Sequence, residues 1–275
     1  MAPYVATYPV DGRGRRLLPL PSRLLAALPD EAFHDAFPVV TPASGARRYR
    51  VGLVLGCVQR LFDPAVNAAA VRVLSTNGIE VVIPPAQGCC GAVTHHQGEL
   101  AQTEALAGAL IDSFEAVVGP GKAAGAEPLD AVLVAASGCG HTLRHYDGIL
   151  AADPAWADRG QAFASQVLDV HQFLDRLWLS QAFAASMAPL AHPDGSPASA
   201  ERPLPVAYHD ACHMLHGQGI SRQPRELLRQ IPHVRLVEAM EAGVCCGSAG
   251  IYNLVQPEEA AELGRLKAAD LAGTG

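Results

Sequence analysis

Six of the seven cysteines in this 275-residue chain fall into a pattern that occurs twice. Cys57 stands 32 positions before Cys89-Cys90-Gly91, and Cys212 stands 33 positions before Cys245-Cys246-Gly247. The seventh, Cys139, follows the first copy. Self-similarity of this kind reads as two related halves, each built around a thiolate site. Thiolates suit soft metals and iron–sulfur clusters. Adjacent cysteines fit poorly around a single tetrahedral zinc ion, which prefers C-x₂₋₄-C spacing. Around a larger cluster, neighbouring thiolates can reach different irons. The first half therefore favours an iron–sulfur cluster over zinc, a redox disulfide or buried thiols. Gly56, Gly88, Gly91, Gly138, Gly140, Gly243 and Gly247 flank the cysteines. They let the backbone come close and aim N–H groups at sulfur.

The second half holds only Cys212, Cys245 and Cys246, so a four-thiolate site there lacks one ligand. His209, His213 and His216 surround Cys212 and offer a substitute, and a thiolate in sequence beyond Gly275 is the other source. The reading preferred here is that these histidines hydrogen-bond locally near the strand end. His95 and His96 are expected to form a polar helix start rather than a proton relay. His141 and His145 are read the same way. Tyr208, Asp210 and Tyr252 are equally suited to line the site or to pack and cap. No G-x-G-x-x-G fingerprint and no P-loop occurs.

These residues must be carried by ordered elements. With 49% hydrophobic and 17% charged residues the chain is globular, and its length allows two cores. A net charge of −7 argues against a nucleic-acid partner. No apolar run is long enough to span a bilayer and no secretory signal is visible, so a cytoplasmic protein is expected. There, clustered cysteines more often bind metal or do redox chemistry than form structural disulfides.

Residues 1–48 read as a proline-broken leader with short helical turns at Ser22–Leu28 and Asp30–Ala36. The first domain is expected over 49–180. Its strands are Tyr49–Leu55, Glu80–Ile83 and Asp130–Ala136. Its helices are Ala65–Asn77, capped by Asp63 and stopped at Asn77-Gly78, then Glu99–Val118 and Gln161–Leu179. A linker covers 181–203 and a second domain 204–275. That domain contains strand Leu204–His209, helix Gln223–Ile231, strand Val234–Glu238 and helix Pro257–Leu271. The counterpart of the third strand and of Cys139 is missing. The fold class is α/β: two pseudo-repeated domains with parallel sheets flanked by helices, the second incomplete. Ligands of such sheets bind beyond the carboxyl ends of the strands. Cys57, Cys139, Cys212 and both Cys-Cys pairs all lie there.

Several segments carry a family resemblance. They are Leu55-Gly56-Cys57, Gly88-Cys89-Cys90-Gly91-Ala92-Val93, Ala136-Ser137-Gly138-Cys139-Gly140, Tyr208-His209-Asp210-Ala211-Cys212-His213, and Cys245-Cys246-Gly247-Ser248-Ala249-Gly250-Ile251-Tyr252-Asn253-Leu254. The chain resembles the Cys-Cys-Gly, heterodisulfide-reductase-type cysteine-rich family, and within it the iron–sulfur subunits of glycolate oxidase. The resemblance implies an electron-transfer subunit without flavin, served by flavoprotein partners that oxidise glycolate to glyoxylate. It implies that Cys57, Cys89, Cys90 and Cys139 ligate one cluster, of the 4Fe-4S type, and that Cys212, Cys245 and Cys246 belong to a second. It also allows peripheral membrane contact through the complex. Two departures stand out. The ferredoxin-like C-x₂-C-x₂-C-x₃-C runs of that subunit are absent, and so is a final cysteine-bearing strand. The sequence thus looks like the middle of such a subunit, with an unpaired sheet edge in its second half. The alternatives are a stand-alone Cys-Cys-Gly protein of the lactate-utilisation type and a zinc or thiol scaffold without redox role.

Overall fold

The computed structural model describes residues 37–177, 187–248 and 251–274. The expected helical turns at Ser22–Leu28 and Asp30–Ala36 lie outside the described residues. The first half is a five-stranded sheet of β1 (Val40–Thr41), β2 (Tyr49–Val54), β3 (Ile79–Val82), β4 (Ala131–Val134) and β5 (Val167–Asp169). The strand order is β1-β3-β2-β4-β5, parallel throughout except for β1, which runs antiparallel to β3.

The parallel strands are nearly continuous apolar runs because helices cover both faces. Helices α1 (Cys57–Phe62) and α2 (Pro64–Thr76) follow β2. Helices α3 (Ala92–His96) and α4 (Leu100–Glu115) follow β3. Helices α5 (Ser137–Leu143), α6 (Tyr146–Ile149) and α7 (Ala157–Gln166) join β4 to β5, and α8 (Val170–Leu177) follows β5. Period-2 alternation splits the strands between two cores. Leu53 and Leu133 join Val71 and Leu74 of α2 and Phe173 of α8. Val54, Val132 and Val134 join Leu110, Ile111 and Phe114 of α4, Tyr146 and Phe163. Gly52 makes the second packing possible, since a Cβ there would meet Phe114 Cε1 at 2.5 Å.

The second half is smaller. Strands β6 (Leu204–Ala207) and β7 (Val234–Val237) form a two-stranded parallel sheet. Around it lie α9 (Cys212–Gln218), α10 (Arg222–Arg229), α11 (Tyr252–Val255) and α12 (Pro257–Ala272). Arg225 of α10 ties this half together. Its guanidinium grips the Asp210 carboxylate at 2.7 and 2.6 Å and reaches Glu238, just past β7, at 2.8 Å. Leu227 packs on the first core, and Arg222 meets Asp175 of α8 at 2.6 Å, so α10 rests on the first half.

Four local expectations change. Val40–Thr41, read as leader, pairs with β3 and closes that sheet edge. The run expected as one helix over Gln161–Leu179 is broken by β5, because pairing with β4 outweighs the local helical pattern. Asp63 precedes α2, but its side chain makes no cap bond; Pro64 alone marks the start. In the 181–203 stretch, expected as a linker, Ala198 and His192 are buried, and His192 bonds the Arg202 carbonyl.

Candidate cofactor site

The first site begins at the end of β2. Gly56 takes φ +72°, turning the chain so that Cys57 opens α1. Two buried amides hold this turn. The Gln87 carbonyl oxygen accepts the Leu55 N–H at 2.9 Å, and its amide nitrogen donates to Leu53 O at 3.1 Å. Asn67 of α2 donates to Leu55 O at 2.9 Å and accepts from Gln59 at 2.7 Å. Backbone groups that β2 cannot pair internally are thereby satisfied. Gln87→Leu orphans two of them, and each buried orphan costs about 1–3 kcal/mol. Urea unfolding is therefore expected to show a loss in that range or above; an unchanged midpoint would refute the assignment.

Both Cys-Cys-Gly segments adopt the same turn. The Gly91 N–H donates to Cys89 Sγ at 3.4 Å, and the Gly247 N–H donates to Cys245 Sγ at 3.3 Å. Gly91 and Gly247 have φ +82° and +83°, a conformation side chains disfavour. Each also lies against the helix that follows. A Cβ on Gly91 would meet Thr103 of α4 at 3.3 Å, and one on Gly247 would meet Ala260 O of α12 at 2.3 Å. The glycine thus does two things: it aims an N–H at sulfur and lets a helix approach.

Cys57, Cys89, Cys90 and Cys139 line one cavity of about 470 Å³, together with Val58, Val93, His96 and His213. Cys57 Sγ donates to Cys89 Sγ at 3.4 Å. That bond, with others from Cys90 and Gly91 N–H, holds the Cys89 thiol well below its ordinary value. Donating it, and being buried, pushes Cys57 up. The neighbouring Cys139 and Cys89 sulfurs, and then burial, raise Cys90 likewise, while its neighbour Cys90 lowers Cys139. A cation entering a group of thiols displaces their protons. Among the described residues no three His, Cys, Asp or Glu groups converge to hold a single metal ion. Four thiols around a cavity of this volume suit a cofactor of several atoms. Tyr146, fully buried, donates to Cys90 O at 2.7 Å and fixes the Cys-Cys pair from behind. Burial and the neighbouring cysteine charges raise its phenol, so it stays neutral.

Cys212, Cys245 and Cys246 line a second cavity of about 210 Å³ with His209 and His213. Ser137, His213 and Ser248 line both cavities and form the wall between them. The structure brings the seven cysteines to two adjoining cavities, four at the first and three at the second.

The histidines depart from their expected places. His95 and His96 end α3 rather than start a helix. His213 stacks on His96 with ring centroids 5.0 Å apart and on His141 at 5.5 Å. His96, His141 and His213 are all held below the usual imidazole range, first by burial and then by a neighbouring histidine: His95 for His96, His145 for His141, and His96 with His141 for His213. The stack joins α5 and α9 at the seam between the halves. Gly217 admits His141 there, since a Cβ would lie 2.5 Å from its Nδ1, and Gln218 donates to Ser137 O at 3.0 Å. His216 faces Gly243 O at 3.4 Å, His145 faces His141 O at 2.7 Å, and His209 Nδ1 is buried without a partner among the described residues. Asp210 is taken up by Arg225, Tyr208 faces a different, apolar cavity, and Tyr252 lines neither cysteine cavity. Sequence reasoning missed Tyr146, Gln87 and Asn67, which show no signal in isolation.

The sequence profile of the CCG family, a cysteine-rich domain, matches residues 51–144 and 206–275, once in each half. The chain belongs to this family. The two CCG matches contain the two repeated turns and all seven cysteines. A relative from Bacillus subtilis, described as a probable glycolate oxidase iron-sulfur subunit, is 35% identical over 80% of this chain and 44% of its own length. The Escherichia coli glycolate oxidase iron-sulfur subunit is 31% identical over 89% of this chain and 53% of its own length. Lactate utilization protein A of an Exiguobacterium strain is 27% identical over 78% of this chain and 77% of its own length. This CCG chain therefore spans about half the length of the glycolate relatives. Among the described residues no helix is long and apolar enough to cross a membrane.

Proposed function

We propose that this chain is an iron–sulfur electron-transfer component of a complex that oxidises glycolate to glyoxylate, with the flavin on a partner protein. In this reading Cys57, Cys89, Cys90 and Cys139 hold one cluster, of the 4Fe-4S type, and Cys212, Cys245 and Cys246 belong to a second. The observation that carries it is the repeated Cys-Cys-Gly turn, which aims a backbone N–H at a cysteine sulfur at the edge of each of two adjoining cavities. The names of the Bacillus subtilis and Escherichia coli relatives support the glycolate assignment. A bound cluster supplies an electron store that accepts and passes on electrons. The protein residues supply thiolates, N–H groups that stabilise charge on sulfur, and a neutral histidine wall that limits water. The domain bounds proposed are 49–180 and 204–275, in a cytoplasmic protein whose cysteines are all free. A lactate-utilisation role is the second reading; it is favoured by the fuller mutual coverage of that relative.

The test is iron, zinc and acid-labile sulfide on anaerobically purified protein, followed by dye reduction by the co-purified flavoprotein. Iron with matching sulfide, and reduction driven by glycolate but not lactate, is the expected result. Zinc without iron would overturn both redox readings. The isolated chain is expected to oxidise no glycolate.

A further inference from the structure

His209 lines the second cysteine cavity with Cys212, Cys245 and Cys246, and its Nδ1 is buried without a hydrogen-bond partner among the described residues. A buried imidazole nitrogen left unpaired costs free energy, so it calls for a partner that the described protein atoms do not supply. His95 and His141 also carry a buried, unpaired Nδ1, but neither lines a cysteine cavity. The repeat sharpens the contrast. His209 stands three positions before Cys212, and the residue three positions before Cys57 is Val54. Val54 is 1% exposed and packs in the same core as Cys90. Where the first half sets an apolar side chain, the second sets a nitrogen donor. Both chain neighbours of His209 are held by Arg225, whose guanidinium lies 5.0 Å from the Tyr208 ring centroid and grips the Asp210 carboxylate. A residue fixed on both sides is preorganised as a ligand.

We infer that His209 is the fourth ligand of the second site, binding iron through Nδ1 beside Cys212, Cys245 and Cys246. The inference rests on the electron-transfer reading and completes a ligand set that this reading leaves at three. The donor set suits the group, since imidazole nitrogen and thiolate sulfur ligate iron together in one class of iron–sulfur centre. The other two histidines near Cys212 are engaged elsewhere: His213 stacks on His96 and His141, and His216 faces Gly243 O. A neutral imidazole in place of a thiolate removes one negative charge and raises the reduction potential. On ligand charge, the second site is therefore the more readily reduced of the two.

The test compares His209→Val, His209→Cys and Cys245→Ser with the parent, each as the full chain purified anaerobically, with iron and acid-labile sulfide measured on all four. His209→Val, which installs the residue of the first half, is expected to lose as much iron as Cys245→Ser and to leave the first site's iron in place. His209→Cys is expected to keep the parent's iron and to lower the potential of the second site in a redox titration followed by electron paramagnetic resonance. With isotope-labelled histidine, the reduced second site of the parent should show a strongly coupled nitrogen that His209→Cys lacks, a signature that a merely structural histidine does not give. Unchanged iron in His209→Val, or no coupled nitrogen in an iron-loaded parent, would overturn the ligand assignment and leave the electron-transfer reading standing. A parent that holds zinc or no metal would overturn both.

Discussion

Cys90→Ser is expected to empty the first site, removing about four irons and their sulfide if a 4Fe-4S cluster fills it. Cys90 is 1% exposed, deepest of the four, and Cys139 and Cys89 are its neighbours. Serine replaces a soft, polarisable donor by a hard hydroxyl that gives up its proton far less readily and reaches less far. The pair is held from behind by the Tyr146 bond to Cys90 O. That bond engages the backbone, so the fold survives the substitution. Circular dichroism and thermal unfolding should resemble those of the parent apoprotein while visible absorbance falls. Cys89→Ser should behave alike, and Cys245→Ser should spare the first site's iron. Full iron and unchanged absorbance in both Cys89→Ser and Cys90→Ser would remove these residues from the ligand set.

The second large effect is structural. Gly247→Ala should destabilise the chain far more than Gly91→Ala, although the two glycines occupy equivalent turns. Both hold φ near +80°, and a non-glycine residue there costs about 1–2 kcal/mol. The difference lies in what the methyl meets. At Gly91 the nearest atoms, Thr103 Cγ2 and Thr103 O, both lie at 3.3 Å, where a few tenths of an ångström suffice; at Gly247 the Ala260 carbonyl oxygen stands at 2.3 Å. Backbone cannot rotate aside as a side chain can, so α12 must move off the Cys-Cys-Gly turn. Gly247→Ala is expected to cost at least about 3 kcal/mol and to release α12, read by urea unfolding and by hydrogen exchange along 257–272. Equal destabilisation by the two variants would show that conformation, not packing, governs both turns.

The main strands were legible because each is a short run dominated by apolar residues, and β2 and β3 are also stopped by Gly56 and Pro84. Tyr49–Val54, Ile79–Val82, Ala131–Val134, Leu204–Ala207 and Val234–Val237 all fall within a residue or two of where the pattern puts them. β1 and β5 were not legible. At two and three residues they are too short to show a period, and only pairing with β3 and β4 defines them. The cysteines were legible because their chemistry is rare and their spacing repeats. Their surroundings were not. Nothing marks Gln87 or Asn67 as the amides that complete a strand end, since ordinary polar residues acquire that task only once backbone groups are buried. The histidine stack was half visible: His213 stands out beside Cys212, but that it meets His96 and His141 depends on how α9 lies on α5.

Among the described residues both extended apolar cores belong to the first half, while the second buries only scattered side chains such as Met214, Ile220 and Ala260. Its two-stranded sheet is anchored by α9 and α10, which lie on α5 and α8 of the better-packed first half. Loss of structure on heating should therefore run in one direction, from Leu204 onward first and the five-stranded half last. The wall that His213 provides would leave with the part that melts first. The thiols at Cys57 and Cys89 would then face solvent and oxidants while the strands behind them were still intact, so the working life of the protein is set by its weaker half.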